Sequence, residues 1–411
     1  MNIINGESLT DEDRLSRDKR IIFICWLAYA AAYVGRLNFS ASIVAVISDL
    51  GVTKADAGLV SSCFFFAYGA GQLVNGILSE RYNSKLMIAL SLFTSAVLNI
   101  FMALCGDISV MKYIWLLNGV VQSVLWSTLI KTISDLVSEE MMPKAILVMS
   151  TPHIVGTFFA YGFSALFVRF GKWQHMFILS AVVLSAAACI WLGLFGKSYK
   201  PVRKEKNREK RLSGVSALLL VPLVAACIGG IANGFVKDGV NTWVTSVLYE
   251  EFSVSQSFSI LLTLLLPLIS MIGAVLVKKL HEKISSHSVM NLLLFAISAG
   301  LCAGLVLALR IHSIIFIMLC FIGVSCLMAM VNNVITSVFP LDNRNLISSG
   351  FSAGLLNTFC YVGSTVTSYS LGAVSQRSGW STAFVIMLVV CAAAAAVCAV
   401  SVMFVSRKRK S

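Results

Sequence analysis

Runs of about 20 apolar residues, enough to cross a hydrocarbon core as helix, follow one another along nearly the whole chain, separated by short polar turns. They predict spans near 21–48, 57–78, 86–105, 113–136, 145–168, 175–196, 216–249, 257–280, 289–309, 313–339, 348–374 and 381–405. The expected fold is an all-α membrane protein with 12 transmembrane helices. Residues 1–20, MNIINGESLTDEDRLSRDKR, are polar and charged, with neither an apolar core nor a small-residue cleavage site. They read as a cytoplasmic leader, not as a signal peptide.

One long polar run interrupts the pattern. KSYKPVRKEKNREKRLSG, residues 197–214, has six predicted spans on each side. It divides the chain into an N-terminal six-helix bundle (21–196), a basic cytoplasmic linker (197–214) and a C-terminal six-helix bundle (215–405), with a basic cytoplasmic tail at 406–411. The bundles align weakly at their first helices: Asp49 follows Arg36 by 13 residues and Glu250 follows Lys237 by 13. After each acid comes a polar turn, GVTKAD or FSVSQS, suited to capping the next helix. Repeated halves enclosing a site near the bilayer midplane are the architecture of rocking secondary transporters.

Composition strengthens the membrane reading. Hydrophobic residues make up 58% of the 411 and charged residues 12%, with a mean hydropathy of +0.86, which excludes an ordinary soluble domain. The net charge of +13 would suit nucleic acid, but its distribution assigns it to topology. Placing both termini in the cytoplasm puts 24 of the 32 Lys and Arg inside, in the leader, the linker, the tail and the inner loops, and leaves Lys54, Lys112, Arg169, Lys172, Arg310 and Arg377 outside. The partner is then the lipid bilayer of a cell membrane, the inner membrane if the source is bacterial, crossed many times by a monomer. The 11 cysteines lie mostly inside apolar runs and no pair has metal-ligand spacing, so neither a metal nor a disulfide is expected.

Two cations break the apolar pattern. Arg36 sits near the middle of the first span and Lys237 near the middle of the seventh. A charge at the bilayer centre costs at least about 2.5 kcal/mol on insertion scales, so each is a candidate functional residue, and together they suggest an anion site. Tyr29, Tyr33 and Arg36 fall at i, i+4 and i+7, on one helix face. The competing reading pairs Arg36 with backbone carbonyls.

Asp238 is the one acid deep in a span. It lies about 100° around the helix from Lys237 and can carry a coupling proton; the competing reading is a local ion network between the two, in which Lys237 is not a ligand. Asn241 stands one turn from Lys237 and can hydrogen-bond beside it. His153, after Pro152, can bind a ligand, take up a proton or serve as a satisfied core histidine. Tyr68 and Gln72 share one helix face, as do Asn357 and Tyr361, and such groups also glue helices together. There is no P-loop, no G-x-S-x-G and no carboxylate pair with a base beside it, so neither an enzyme nor a cofactor is expected.

Gly76-Ile-Leu-Ser-Glu80-Arg81-Tyr-Asn-Ser-Lys85 resembles the G-x-x-S-[DE]-R-x-x-x-[RK] loop of the major facilitator superfamily. The resemblance implies that its acid and bases pair at the cytoplasmic face and hold one conformational state. Tyr33-Val-Gly-Arg36-Leu-Asn38-Phe39 is similar to the Y-x-x-R-x-N-F motif of the organophosphate:phosphate antiporter family, which includes glycerol phosphate and hexose phosphate transporters. Further matches are Ala67-Tyr68-Gly69, Leu117-Asn118-Gly119 with Gln122 and Trp126, His153 with Val155-Gly156, and Gly350-Phe351 through Tyr361-Val-Gly363. Lys237 replaces a second family arginine, and Gln72 stands where glycerol phosphate transporters carry lysine. An ammonium is a point charge where a guanidinium grips bidentately, so selectivity is the property these departures touch.

The resemblance implies a secondary transporter of a small organic anion, a sugar phosphate or other organophosphate exchanged for inorganic phosphate by alternating access. Arg36 and Lys237 would hold the anionic group, with Tyr29, Tyr33, Tyr68, Gln72, Trp126, His153, Asn241, Asn357 and Tyr361 around it and Asp238 or His153 available for coupling. The alternative is proton-coupled symport of a sugar acid or other carboxylate. A non-transporting membrane sensor of such anions ranks third.

Overall fold

The computed structural model of the chain describes residues 3–4, 7–8, 11–194, 217–343, 346–347 and 349–408. Apart from a two-residue antiparallel pair, Ile3–Ile4 with Glu7–Ser8, the regular structure is helical. The helices are α1 (Asp11–Leu50), α2 (Lys54–Arg81), α3 (Ser84–Leu104), α4 (Ile108–Leu136), α5 (Met142–Met149), α6 (Pro152–Arg169) and α7 (Gln174–Leu194). After the 197–214 run, which lies outside the described residues, come α8 (Ala217–Phe252), α9 (Gln256–Thr263), α10 (Leu265–Lys283), α11 (His287–Arg310), α12 (Ile314–Asn333), α13 (Phe339–Asp342) and α14 (Ser349–Lys408). Among the described residues, 11 segments are long and apolar enough to cross a membrane.

Proline accounts for most of the differences from unbroken spans. The 145–168 run divides into α5 and α6 at Ser150 and Thr151, because Pro152 has no N–H to continue the ladder and starts a new helix instead. The 257–280 run divides at Leu264, where Pro267 leaves the Thr263 carbonyl without its ladder donor. Ahead of Pro340, α12 widens into a π-helical turn at Val334–Val338. Within α14 the backbone leaves helical geometry at Gly379 (φ 76°, ψ 168°), so its 60 residues form two helices meeting at a corner. The leader is not a separate element from Asp11 onward, since α1 begins there and runs into the first span.

The polar turns cap as expected. Thr53 and Asp56 form a reciprocal box at the start of α2, with Asp56 N–H donating to Thr53 Oγ1 (3.1 Å) and Thr53 N–H to Asp56 Oδ2 (3.2 Å). Ser255 accepts from the Phe258 N–H at the start of α9.

Within the N-terminal group, α1 is bound to its neighbours by buried amides. Asn38 donates to Asn99 Oδ1 (2.7 Å) and to Ser180 Oγ (2.9 Å), while Asn99 and Asn118 both donate to the Gly35 carbonyl (3.1 and 3.2 Å). This network ties α1 to α3, α4 and α7 at the level of Arg36, with every side-chain amide satisfied at least in part. In the C-terminal group, α8 and α14 approach closely through Gly363, where a Cβ would overlap the Ile231 carbonyl.

The helix-end acids are held alike in both groups. Asp49 Oδ2 accepts the Trp173 indole N–H at 2.8 Å, and Glu250 Oε2 accepts that of Trp380 at 2.9 Å. A glycine of positive φ turns the chain just before each tryptophan, Gly171 at 66° and Gly379 at 76°. Several contacts between the groups lie toward this same end. Lys54 Nζ reaches Glu250 Oε2 at 2.7 Å, the Lys54 N–H donates to Gln376 (2.9 Å), Ser62 Oγ donates to the Thr365 carbonyl (2.6 Å) and Ser257 Oγ to that of Ala165 (2.8 Å).

Candidate functional site

The guanidinium of Arg36 is packed among phenol rings. Its Cζ lies 3.6 Å from the Tyr33 ring centroid, 5.3 Å from that of Tyr68 and 5.8 Å from that of Tyr29. The helical spacing on α1 supplies Tyr29 and Tyr33, and α2 supplies Tyr68. Ring faces carry negative potential, so each stabilises the cation without occupying its N–H groups. Among the described residues, Arg36 has no carboxylate within ion-pair range and no hydrogen-bond acceptor. Five donors in a planar fork are therefore left to meet something other than protein.

Further rings extend the cluster across three other helices. Tyr361 of α14 packs 4.9 Å from Tyr68, Trp126 of α4 5.0 Å from Tyr29, and His153 of α6 5.9 Å from Tyr33. Tyr361 can come this close to α2 because Gly69 has no side chain: a Cβ there would sit 2.6 Å from the Tyr361 Cβ.

Lys237 enters the same region from α8. The ammonium is 3.9 Å from Asp238 Oδ1 and its side chain is 36% exposed, against 14% for Asp238. Asp238 is further held by Ser364, whose hydroxyl donates to Oδ2 at 2.5 Å. The contact between these neighbours sits at the long edge of ion-pair range and leaves the ammonium open on its other sides. Asn241 contributes its backbone, whose carbonyl accepts the Tyr161 hydroxyl at 3.3 Å and draws α6 against α8.

Two candidates engage each other. The Asn357 amide donates to Gln72 Oε1, joining α14 to α2. Both serve as interhelical glue in this arrangement. In the Gly76–Lys85 motif, the side chains of Glu80 and Arg81 and the surroundings of Gly76 lie outside the described residues. Lys85 lies in the first turn of α3, where its N–H meets Asn83 Oδ1 (2.9 Å) and its carbonyl accepts the Trp191 indole (3.0 Å). Two surface pockets lie elsewhere, one of about 220 Å³ by Asp49 and Gln256 and one of about 550 Å³ by Ser134 and Pro143. Neither touches the rings around Arg36.

Sequence reasoning missed Ser364, although it directly follows the Tyr361-Val-Gly363 match, because no local spacing ties it to Asp238. It also left Asn38 as a motif position, whereas the side chain is wholly buried and bonded to Asn99 and Ser180 in the amide network.

A model of the Major Facilitator Superfamily matches residues 25–354. A probable hexose phosphate transport protein of Chlamydia pneumoniae is 22% identical over 417 residues, covering 92% of this chain and 89% of that protein. The glycerol-3-phosphate transporter of Bacillus subtilis (strain 168) is 25% identical over 285 residues, 62% of this chain and 63% of that protein. Among solved structures, a bacterial homologue of the human lysosomal transporter Spinster, in its inward-facing and unoccupied conformation, superposes with a TM-score of 0.76 at 14% identity, over 94% of this chain and 97% of that one. That likeness is one of fold alone.

Proposed function

This chain belongs to the Major Facilitator Superfamily, and we propose that it is a secondary transporter that exchanges a phosphorylated sugar or polyol for inorganic phosphate by alternating access. It has twelve spans in two six-helix halves, α14 counting as two helices about its corner at Gly379, and both termini lie in the cytoplasm. The paired acid–tryptophan contacts, Asp49 with Trp173 and Glu250 with Trp380, support the division into repeated halves.

The observation that carries this reading is the guanidinium of Arg36, ringed by Tyr29, Tyr33 and Tyr68 with no protein acceptor among the described residues. A phosphoryl group offers oxygens in the geometry of the fork, and Lys237 adds a second charge for a dianion. Phosphate and phosphate ester would use the same cations in turn, which is the basis of exchange. The relatives that transport hexose phosphate and glycerol phosphate support the substrate class.

A second reading, proton-coupled symport of a carboxylate, draws on Asp238, the acid beside Lys237 and Ser364. The two part company in proteoliposomes made from the whole chain alone. Exchange predicts uptake of a hexose or glycerol phosphate only into vesicles loaded with phosphate, with matching phosphate efflux. Uptake of a sugar acid into phosphate-free vesicles, driven by a pH gradient, would instead establish the symporter. Absence of any flux, with ligand binding intact, would point to a sensor.

A further inference from the structure

At the end of the C-terminal group away from Lys54 and Glu250, three side chains from three helix ends converge. His281 lies in the last turn of α10, His287 begins α11 and Asp342 ends α13. His287 Nε2 is 2.8 Å and His281 Nε2 3.1 Å from the same atom, Asp342 Oδ2. The donor atoms of all three lie within 4.8 Å of one another. The two imidazoles stack at 5.8 Å and 23°, and Phe339 closes on His287 edge-on at 5.4 Å. The side chains of His281, His287 and Asp342 are 31%, 17% and 41% exposed, so an ion has a way in from solvent.

We propose that His281, His287 and Asp342 form a binding site for a divalent transition-metal ion of the zinc type. Ligands about 2.0–2.2 Å from a tetrahedral ion stand roughly 3.3–3.5 Å apart, close to the spacing found here, and small side-chain rotations complete the fit. Two imidazoles with one carboxylate favour a borderline ion over calcium or magnesium, which need more oxygen donors. Ligation through Nε2 places the His281 proton on Nδ1, which is buried and has no hydrogen-bond partner among the described residues, so the bound ion must offset the cost of that unpaired donor. Three protein ligands leave a fourth position for water or an anion. A bound ion would staple the ends of α10, α11 and α13 and restrain movement there. The spacing along the chain hides the set, because Asp342 is 55 residues from His287.

The test uses the purified full-length protein, stripped with a chelator and titrated with Zn²⁺ against a chromophoric competitor, and with Co²⁺ as a spectroscopic probe. The expected result is one site of micromolar or tighter affinity, weakened at least about tenfold in His287→Asn and in Asp342→Asn. The Co²⁺ complex should lack thiolate charge-transfer absorption, and Zn²⁺ should raise the melting temperature of the wild type but not of the variants. Metal-free melting curves that match the wild type show that the variants fold. Zinc affinity undiminished in either variant, a thiolate signature, or no binding above that of Ca²⁺ would overturn the proposal, leaving a hydrogen-bonded His–Asp–His cluster. Should both variants fail to fold, His281→Gln with the same three measurements decides in the same way.

Discussion

The ammonium of Lys54, at the start of α2, lies 2.7 Å from the carboxylate of Glu250, near the end of α8, and this ion pair joins the two helix groups at one end of the bundle. The same oxygen accepts the Trp380 indole N–H, and the Lys54 ammonium also sits 5.0 Å from the Trp380 ring. Closure at this end therefore rests on a charge-assisted contact embedded in an aromatic one.

Glu250→Gln should loosen that closure while keeping an acceptor for Trp380. With Glu250 about one-third exposed, the pair is worth about 1 kcal/mol after screening, or roughly a fivefold shift toward the state open at this end. Spin labels in the turns after α1 and α8 should report a larger population at long distance. An unchanged distance distribution would remove the pair from the closure.

Asp238→Asn should leave phosphate exchange intact or tighten anion binding, because it removes a negative charge 3.9 Å from the Lys237 ammonium while the amide can still accept from Ser364. Exchange rates and half-saturation for a hexose phosphate check this. A pH-gradient-driven accumulation present in the wild type and lost in the variant would assign Asp238 a coupling proton instead.

Lys237→Arg should preserve or strengthen binding of phosphate esters, since the fork can take two oxygens where the ammonium offers a point charge. The rise in melting temperature with added glycerol phosphate, compared with that from a sugar acid, reads the effect. Loss of both shifts would mark Lys237 as structural.

Asn38→Ala should destabilise the protein without changing ligand affinity in what folds. The asparagine is wholly buried and bonded to Asn99 and Ser180, and leaving such partners unpaired costs about 1–3 kcal/mol. A lowered melting temperature with the dissociation constant for phosphate unchanged is the expected pair of results.

The spans and the Arg36 face were legible because both are local: apolar run length and helical spacing act over a few turns. The aromatic cage was half legible. Tyr29 and Tyr33 follow from their spacing to Arg36, while Tyr68 and Tyr361 came from a resemblance. Contacts that join distant helices leave no such trace. Ser364 meets Asp238 across 126 residues and Lys54 meets Glu250 across 196, and a serine or an outer lysine looks like many others until the fold supplies its partner. Gln72 and Asn357 stood open between ligand and interhelical roles for the converse reason, since their mutual bond spans 285 residues.

The most direct measurement is exchange of radiolabelled phosphate by proteoliposomes loaded with phosphate, comparing the wild type with Arg36→Lys at equal insertion. The substitution keeps the positive charge at the centre of the tyrosine cage and removes only the planar fork. If Arg36 grips the anion, the wild type exchanges phosphate and the variant is slower by at least about tenfold, the loss of roughly 1.4 kcal/mol or more of directed hydrogen bonding. Near-normal exchange by well-inserted Arg36→Lys would contradict it.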